Sequence, residues 1–293
     1  MSVIPARSFS SNTCAIDLNN FTYVRSSPPT SRLIECIDMS PDGKHFMYSV
    51  GIDNVLVTRS TSGTPFDIAE MWSLGTVGLT RPGTRGVPAC RWTPDGLGFY
   101  CVVDPGLSAQ TLQYWTLATP YTMGNQVAPF PTLVSTRSTS DTPAGNSGWG
   151  NFNISPDGTR LLCMLNDSSR SIAQYNYGTP WDITTLTYIG LDTPTGNGGG
   201  GLFVPPSGNC AYTPAGNIIQ HWPISNTWTA SLVDPFTPRQ TFYTNTNPPT
   251  VPDVCPPNRT ECRIDSLWLN DNNLYIAVQN VGTNNSIIHQ YSR

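Results

Sequence analysis

A four-residue turn recurs along this chain with a short apolar run on each side: Ser40-Pro41-Asp42-Gly43, Thr93-Pro94-Asp95-Gly96 and Ser155-Pro156-Asp157-Gly158. Pro presets the first corner and Gly is free to take the positive φ that a tight turn requires. Pro205-Pro206-Ser207-Gly208 reads as a degenerate fourth copy, and Asn270-Asp271-Asn272-Asn273 as a fifth. A second phrase follows three of the turns: Thr64-Pro65-Phe66-Asp67-Ile68, Thr119-Pro120-Tyr121 and Thr179-Pro180-Trp181-Asp182-Ile183. Repeats of roughly 50 to 65 residues, each with four short strands, constrain the fold to a β-propeller. The expectation is an all-β, five-bladed β-propeller, or a six-bladed one if a further repeat lies within a long loop.

The third repeat serves as reference, with strands expected at 151–154, 161–165, 171–177 and 185–191. Third strands of the other repeats fall at 55–58, 111–117, 218–222 and 287–291. The fifth repeat ends at Arg293, before its own fourth strand. The missing piece lies at the other terminus, where residues 16–24 (IDLNNFTYV) align with residues 181–189 (WDITTLTYI). The N-terminal segment is therefore expected to complete the last blade, which ties the ends together and removes two open sheet edges. Residues 1–13 read as an N-terminal arm and residues 14–293 as a single propeller domain.

Charge bounds the partners. The net charge is −4 and no basic run occurs, which argues against nucleic acid, whose phosphates call for clustered Arg and Lys. No apolar stretch approaches the ~20 residues of a membrane span, and the first residues lack the apolar core of a signal peptide. Only 12% of residues are charged, Lys44 is the sole lysine, and Glu35, Glu70 and Glu261 are the only glutamates. Solubility then rests on Ser, Thr, Asn and Gly, a composition that suits an exterior protein or a member of an assembly.

The eight cysteines show no CxxC spacing, and the three histidines lie away from them, so no zinc site is expected. Cys90 and Cys101 are symmetric about the Pro94 turn, and Cys255 and Cys262 bracket a short Pro- and Asn-rich loop. Both pairs are candidate disulfides, with buried thiols as the alternative. Motifs for a serine-hydrolase elbow, a metalloprotease helix or a phosphate loop are absent. Asp42, Asp95, Asp157, Asp67 and Asp182 are turn residues by position, and His45, His221 and His289 are strand residues. No catalytic residue is assigned. No motif specifies a cofactor or metal, and Ca²⁺ in the channel is left open.

Loop length separates the two faces. The turns joining first to second and third to fourth strands are short and repetitive, whereas the connections on the opposite face, at 70–88, 127–150, 190–201 and 233–262, are long and different in each repeat. Variable loops on a rigid frame are where recognition is usually placed. Aromatic, Arg and Asn side chains there make the candidate binding set: Trp72, Arg81, Arg85, Arg137, Asn146, Trp149, Arg239 and Tyr243. First-strand positions such as Met39, Trp92 and Ile154 are mostly apolar, which does not favour a catalytic channel.

The turn motif followed by Ile172-Ala173-Gln174-Tyr175 and by Thr179-Pro180-Trp181-Asp182-Ile183 resembles repeats in phage and marine-virus propellers of the tail-fibre and spike type. It is similar, more distantly, to TolB and lactonase-like propellers. The resemblance implies a non-enzymatic recognition protein, an exposed spike or capsid-associated propeller that contacts a host-surface glycan or protein through its long-loop face. Its N-terminal arm would join other capsid or assembly proteins. The alternatives are a structural interaction platform within an assembly, or a lactonase- or glycosidase-like enzyme.

Overall fold

The structure is a computed structural model describing residues 16–30, 32–50, 55–61, 63–73, 77–80, 86–104, 110–123, 130–140, 148–166, 169–194, 201–216, 218–232, 240–243, 262–280 and 285–293. The expected arm, residues 1–13, lies outside them. Strand β1 (Thr22–Ser26) opens the described chain. One antiparallel sheet then holds β2 (Ile34–Met39), β3 (His45–Val50), β4 (Val55–Ser60) and β5 (Val77–Thr80), with helix α1 (Ile68–Ser73) between the last two. A second holds β6 (Gly86–Trp92), β7 (Gly98–Asp104), β8 (Thr111–Thr116) and β9 (Thr132–Ser138). A third holds β10 (Trp149–Ile154), β11 (Arg160–Leu165), β12 (Ile172–Tyr177) and β13 (Leu186–Asp192). β14 (Cys210–Ala215), β15 (Ile218–Pro223) and β16 (Gln240–Tyr243) form a three-stranded sheet, whose inner flank adds a single bridge between Phe203 and Tyr212. β17 (Cys262–Leu269), β18 (Asn273–Asn280) and β19 (Asn285–Ser292) form the closing sheet, and β1 pairs with β19 as its fourth strand.

The inner strands β17, β2, β6 and β10 pack side by side, and β14 packs on β17. The architecture is an all-β propeller closed by its N-terminal strand, as the internal alignment anticipates. Leu18–Asn20 and Ile183–Thr185 are both single 3₁₀ turns at aligned positions, and Leu18 and Ile183 are both fully buried.

The two repeated phrases are one device. In each turn the Gly sits at positive φ (Gly43, Gly96, Gly158 and Gly208, 67° to 70°). The aromatic of the second phrase, Phe66, Tyr121 or Trp181, also takes positive φ, as does Trp228 in the same place in the fourth repeat, at 55° to 67°. Its N–H donates to the carbonyl of that Gly at 2.7, 2.8, 3.0 and 2.9 Å respectively, and its ring lies on the Gly Cα. Left-handed backbone at a bulky residue is strained by about 1–3 kcal/mol, and ring burial plus the hydrogen bond offset it. A Cβ on Gly158 would overlap the Trp181 ring. Gly158→Ala should therefore destabilise the chain by about 2 kcal/mol in urea unfolding, and a loss below about 0.5 kcal/mol would mean the ring is not seated on the turn.

Tyrosines extend the device between sheets. Tyr100 on β7 donates its hydroxyl to the Trp181 carbonyl at 2.9 Å, and Tyr212 on β14 donates to Ile16 at 3.3 Å. Tyr275 on β18 donates to Phe66. Ile16, Phe66 and Trp181 are equivalent positions, so each tyrosine grips the outer turn of the following sheet.

Two expectations are corrected. The stretches read as long loops contain outer strands: β5 lies within 70–88, β9 within 127–150 and β16 within 233–262. β9 is mostly exposed, so no apolar alternation marks it. Cys90 and Cys101 do stand opposite each other on β6 and β7, but as reduced, buried thiols. Directly opposed residues of an antiparallel pair keep their Cβ atoms about 4.5–5.5 Å apart, beyond the ~3.8 Å of a disulfide. The Cys90 thiol interacts instead with Cys36. Cys255 lies outside the described residues, as does the Cys262 side chain.

Candidate functional site

Each complete inner strand carries a bulge near its first residues: between Ile34 and Ile37, Gly86 and Ala89, Trp149 and Phe152, and Ile264 and Ser266. A bulge re-aims the side chains beside it. Here polar residues stand at or beside it: Glu35 on β2, Asn151 on β10, and Asp265 and Ser266 on β17.

Two layers result. The deeper one ties the inner strands together. Arg91 is 7% exposed and donates from Nη1 to the carbonyls of Ile37 and Cys90 at 3.1 and 2.8 Å, and from Nη2 to that of Leu202 at 3.2 Å. Its Nε reaches Asn153 Oδ1 at 3.4 Å, and Asn153 donates in turn to the Leu202 carbonyl at 2.9 Å. Asp38 accepts the Trp92 N–H at 2.7 Å. Burial raises the Asp38 pKa to about 6 even though the Arg91 charge pulls it down. Above this plug, Ser266 Oγ accepts from Asn151 Nδ2 and from the Ile37 N–H, both at 3.1 Å.

The upper layer holds two carboxyls. Glu35, at the β2 bulge, accepts the Val87 N–H, while its Oε2 is buried without a hydrogen-bond partner. Asp265, at the β17 bulge, takes Arg263 Nε on Oδ1 at 2.8 Å, while its Oδ2 is likewise buried and unpartnered. Burial, then the Asp265 charge, raises Glu35 from 4.5 to about 7, with a smaller push from Asp104. Burial raises Asp265 from 3.8 to about 6 against the pull of Arg263. An unpaired buried carboxylate oxygen is expensive, and perturbed carboxyls concentrated in one mouth mark a candidate site for chemistry. Among the described residues, no group of three or more His, Cys, Asp or Glu is arranged to hold a metal ion. No described helix is long and apolar enough to cross a membrane.

The candidate binding residues fare differently. Trp149 begins β10 and is fully buried, its ring 4.9 Å from that of Tyr175, so it offers no surface to a ligand. Arg137 lies on β9 and donates to the Leu186 carbonyl, with its guanidinium 5.8 Å from the Tyr175 ring centre; it ties two sheets together. Trp72 lies on α1 and Tyr243 on β16, but neither side chain is among those described. Arg81, Arg85, Asn146 and Arg239 lie outside the described residues.

The expectation of apolar first strands is also corrected: Glu35, Asp38, Arg91, Asn151, Asn153, Asp265 and Ser266 all lie on them. One signal was available. The residue two places before the Ser or Thr of each strong turn is polar: Asp38, Arg91, Asn153. The three histidines are strand residues as expected, and His221 is buried with its ring 4.8 Å from that of Tyr212.

No protein-family model and no curated protein matches the sequence. Solved structures resemble the fold. One is a candidate 6-phosphogluconolactonase from Bacteroides fragilis, with a TM-score of 0.46 and 18% identity, covering 72% of this chain and 55% of that one. Another, from Bacteroides uniformis, has a TM-score of 0.44 and 21% identity with the same 72% and 55% coverage. A periplasmic gluconolactonase from Pseudomonas aeruginosa has a TM-score of 0.48 and 11% identity, covering 84% of this chain and 65% of that one. The chain thus spans 55% of the length of the two Bacteroides proteins. The likeness is one of β-propeller fold alone.

Proposed function

We propose that the chain is a five-bladed propeller, with β14–β16 and the Phe203 bridge as its fourth blade. On this reading it is a hydrolytic enzyme that works at the loop-side mouth of its channel, with Glu35 and Asp265 as an acid–base pair. The observation that carries the reading is the half-used state of both carboxyls: each has one oxygen held by the protein and one buried oxygen without a partner. A carboxyl titrating near 7 can donate a proton to a leaving group, and one titrating lower can accept a proton from water. The chemistry suits a small, uncharged hydrolysable molecule such as a sugar-derived lactone or a glycoside. The receptor-binding alternative rests on side chains outside the description, together with Trp149 and Arg137, which the fold already employs.

The test is a panel of lactones, esters and chromogenic glycosides assayed between pH 6 and 8. At least one class should turn over, and Glu35→Gln should lower that rate by about 100-fold or more while circular dichroism is unchanged. A folded wild type inactive on every class, or a Glu35→Gln variant as active as wild type, would reject the reading.

One observation favours the assembly-platform reading. Leu133 and Val134 on β9 and Ile189 and Leu191 on β13 are exposed at 43–55% on neighbouring outer strands, an apolar surface of the kind that interfaces use.

A further inference from the structure

The strand that closes the ring is held through an imidazole. Thr22, Tyr23, Arg25 and Ser26 of β1 stand opposite Ser292, Tyr291, Gln290 and His289 of β19, with an irregularity between Tyr23 and Arg25. A strand of five residues with a broken ladder depends on its side chains. The Tyr23 hydroxyl and Ser26 Oγ are 2.8 Å apart, and Ser26 Oγ is 2.8 Å from His289 Nδ1. The Tyr23 ring meets His289 and Tyr291 edge-on at 6.1 and 5.8 Å.

We infer that His289 is an acid-sensitive latch, and that protonating its buried ring frees β1 from β19 while β17 and β18 stay paired. His289 is 6% exposed, and burial alone holds its pKa down, from 6.5 to about 4. The titratable and charged groups on the packed elements are Tyr23 and Arg25 on β1, Tyr275 on β18 and Tyr291 on β19. Asp67, in the turn after β4, joins them through its ion pair with Arg25 at 2.9 Å. Asp67 is engaged by Arg25, and Glu70 on α1, which packs on β1, holds the Thr64 N–H at 2.9 Å; burial is the sole cause of the shift, so no neighbouring charge compensates an imidazolium. When β1 lifts away the ring enters water and regains its ordinary affinity for a proton. Opening is therefore independent of pH above about 6.5 and favoured increasingly as pH falls toward 4. At pH 4.5 the two pKa values give on the order of an 80-fold shift toward the open state. The β17–β18 hairpin contains no histidine, and its Asp265, raised to about 6, binds a proton more tightly when folded, so a fall in pH does not favour its opening.

Amide hydrogen exchange of the intact protein, corrected for intrinsic rates, tests this between pH 7 and 4.5. Protection of β1 should fall by on the order of 80-fold while that of β17 and β18 holds or rises. In His289→Asn, whose amide takes the place of Nδ1 but cannot be protonated, the fall should vanish. A fall that persists in His289→Asn, or that spreads equally to β17 and β18, overturns the latch. The ring itself can be titrated by NMR in the unaltered protein: a midpoint near 4 supports the inference and one near 6.5 overturns it.

Discussion

Replacing Arg91 with methionine should destabilise the fold by about 3–5 kcal/mol at pH 8, the loss expected when one member of a buried charge pair is removed. The guanidinium makes hydrogen bonds to groups on β2, β6 and β10 and to Leu202 before the bridge at Phe203. Methionine fills similar space but takes the guanidinium donors from the Ile37 and Cys90 carbonyls and leaves that of Leu202 to Asn153 alone. It also removes the positive charge that draws the Asp38 pKa down to about 6. Without that charge Asp38 titrates higher and is penalised when ionised, so the loss should be smaller at pH 5 than at pH 8. Adding Asp38→Asn to the variant should recover the charge-dependent part, because an amide oxygen can still accept the Trp92 N–H. The measurement is urea unfolding of wild type, both single variants and the double variant at each pH. A loss under about 1 kcal/mol, or one identical at both pH values, would mean the plug does not hold the sheets together.

That plug shows where the sequence stopped being legible. The turns and their aromatic partners were readable because their chemistry is local: Pro presets a corner, Gly takes positive φ, and Asp157 Oδ1 accepts from the Thr159 N–H at 3.1 Å. Ring closure was readable because residues 16–24 repeat residues 181–189 closely enough to align. The outer strands were missed because β9 is half solvent, and Thr132–Ser138 reads as polar loop. Trp149 was assigned to a loop because nothing marks the start of β10; only its packing on Tyr175, from another strand, shows it to be core. The channel was missed for the same reason. Whether Arg91 is a surface charge or a buried plug depends on carbonyls 54 and 111 positions away. Glu35 carries the plainest missed hint. One of three glutamates in the chain, it lies between Leu33-Ile34 and Cys36-Ile37, where a solvent-exposed acid would be out of place.

Glu35→Gln should make the folded chain more stable than wild type at pH 8, by up to about 3 kcal/mol, and leave stability unchanged below pH 4.5. The carboxyl titrates at 4.5 ordinarily and at about 7 in the folded protein. Its folded pKa is the higher, so the folded state binds the proton more tightly. The stability this contributes is complete below about 4.5 and is lost as pH rises through about 7. Each pKa unit is worth about 1.4 kcal/mol, which sets the upper limit for the gain. Glutamine is close in shape, keeps an oxygen for the Val87 N–H, and never ionises. His289 slopes the opposite way, since its folded pKa is depressed from 6.5 to about 4 and its burial favours folding increasingly as pH rises from 4 to 6.5. Asp38 and Asp265, raised to about 6, add to the Glu35 slope. The wild-type profile is thus a sum of opposed titrations, and only the difference between variant and wild type isolates Glu35. Unfolding midpoints for both proteins from pH 4 to 8 supply that difference. A gain growing through pH 5–7, together with lost turnover in the same variant, would identify a carboxyl kept at the expense of stability because its proton is used. A flat difference would show that Glu35 ionises without penalty, and the acid–base reading of the channel mouth would fall with it.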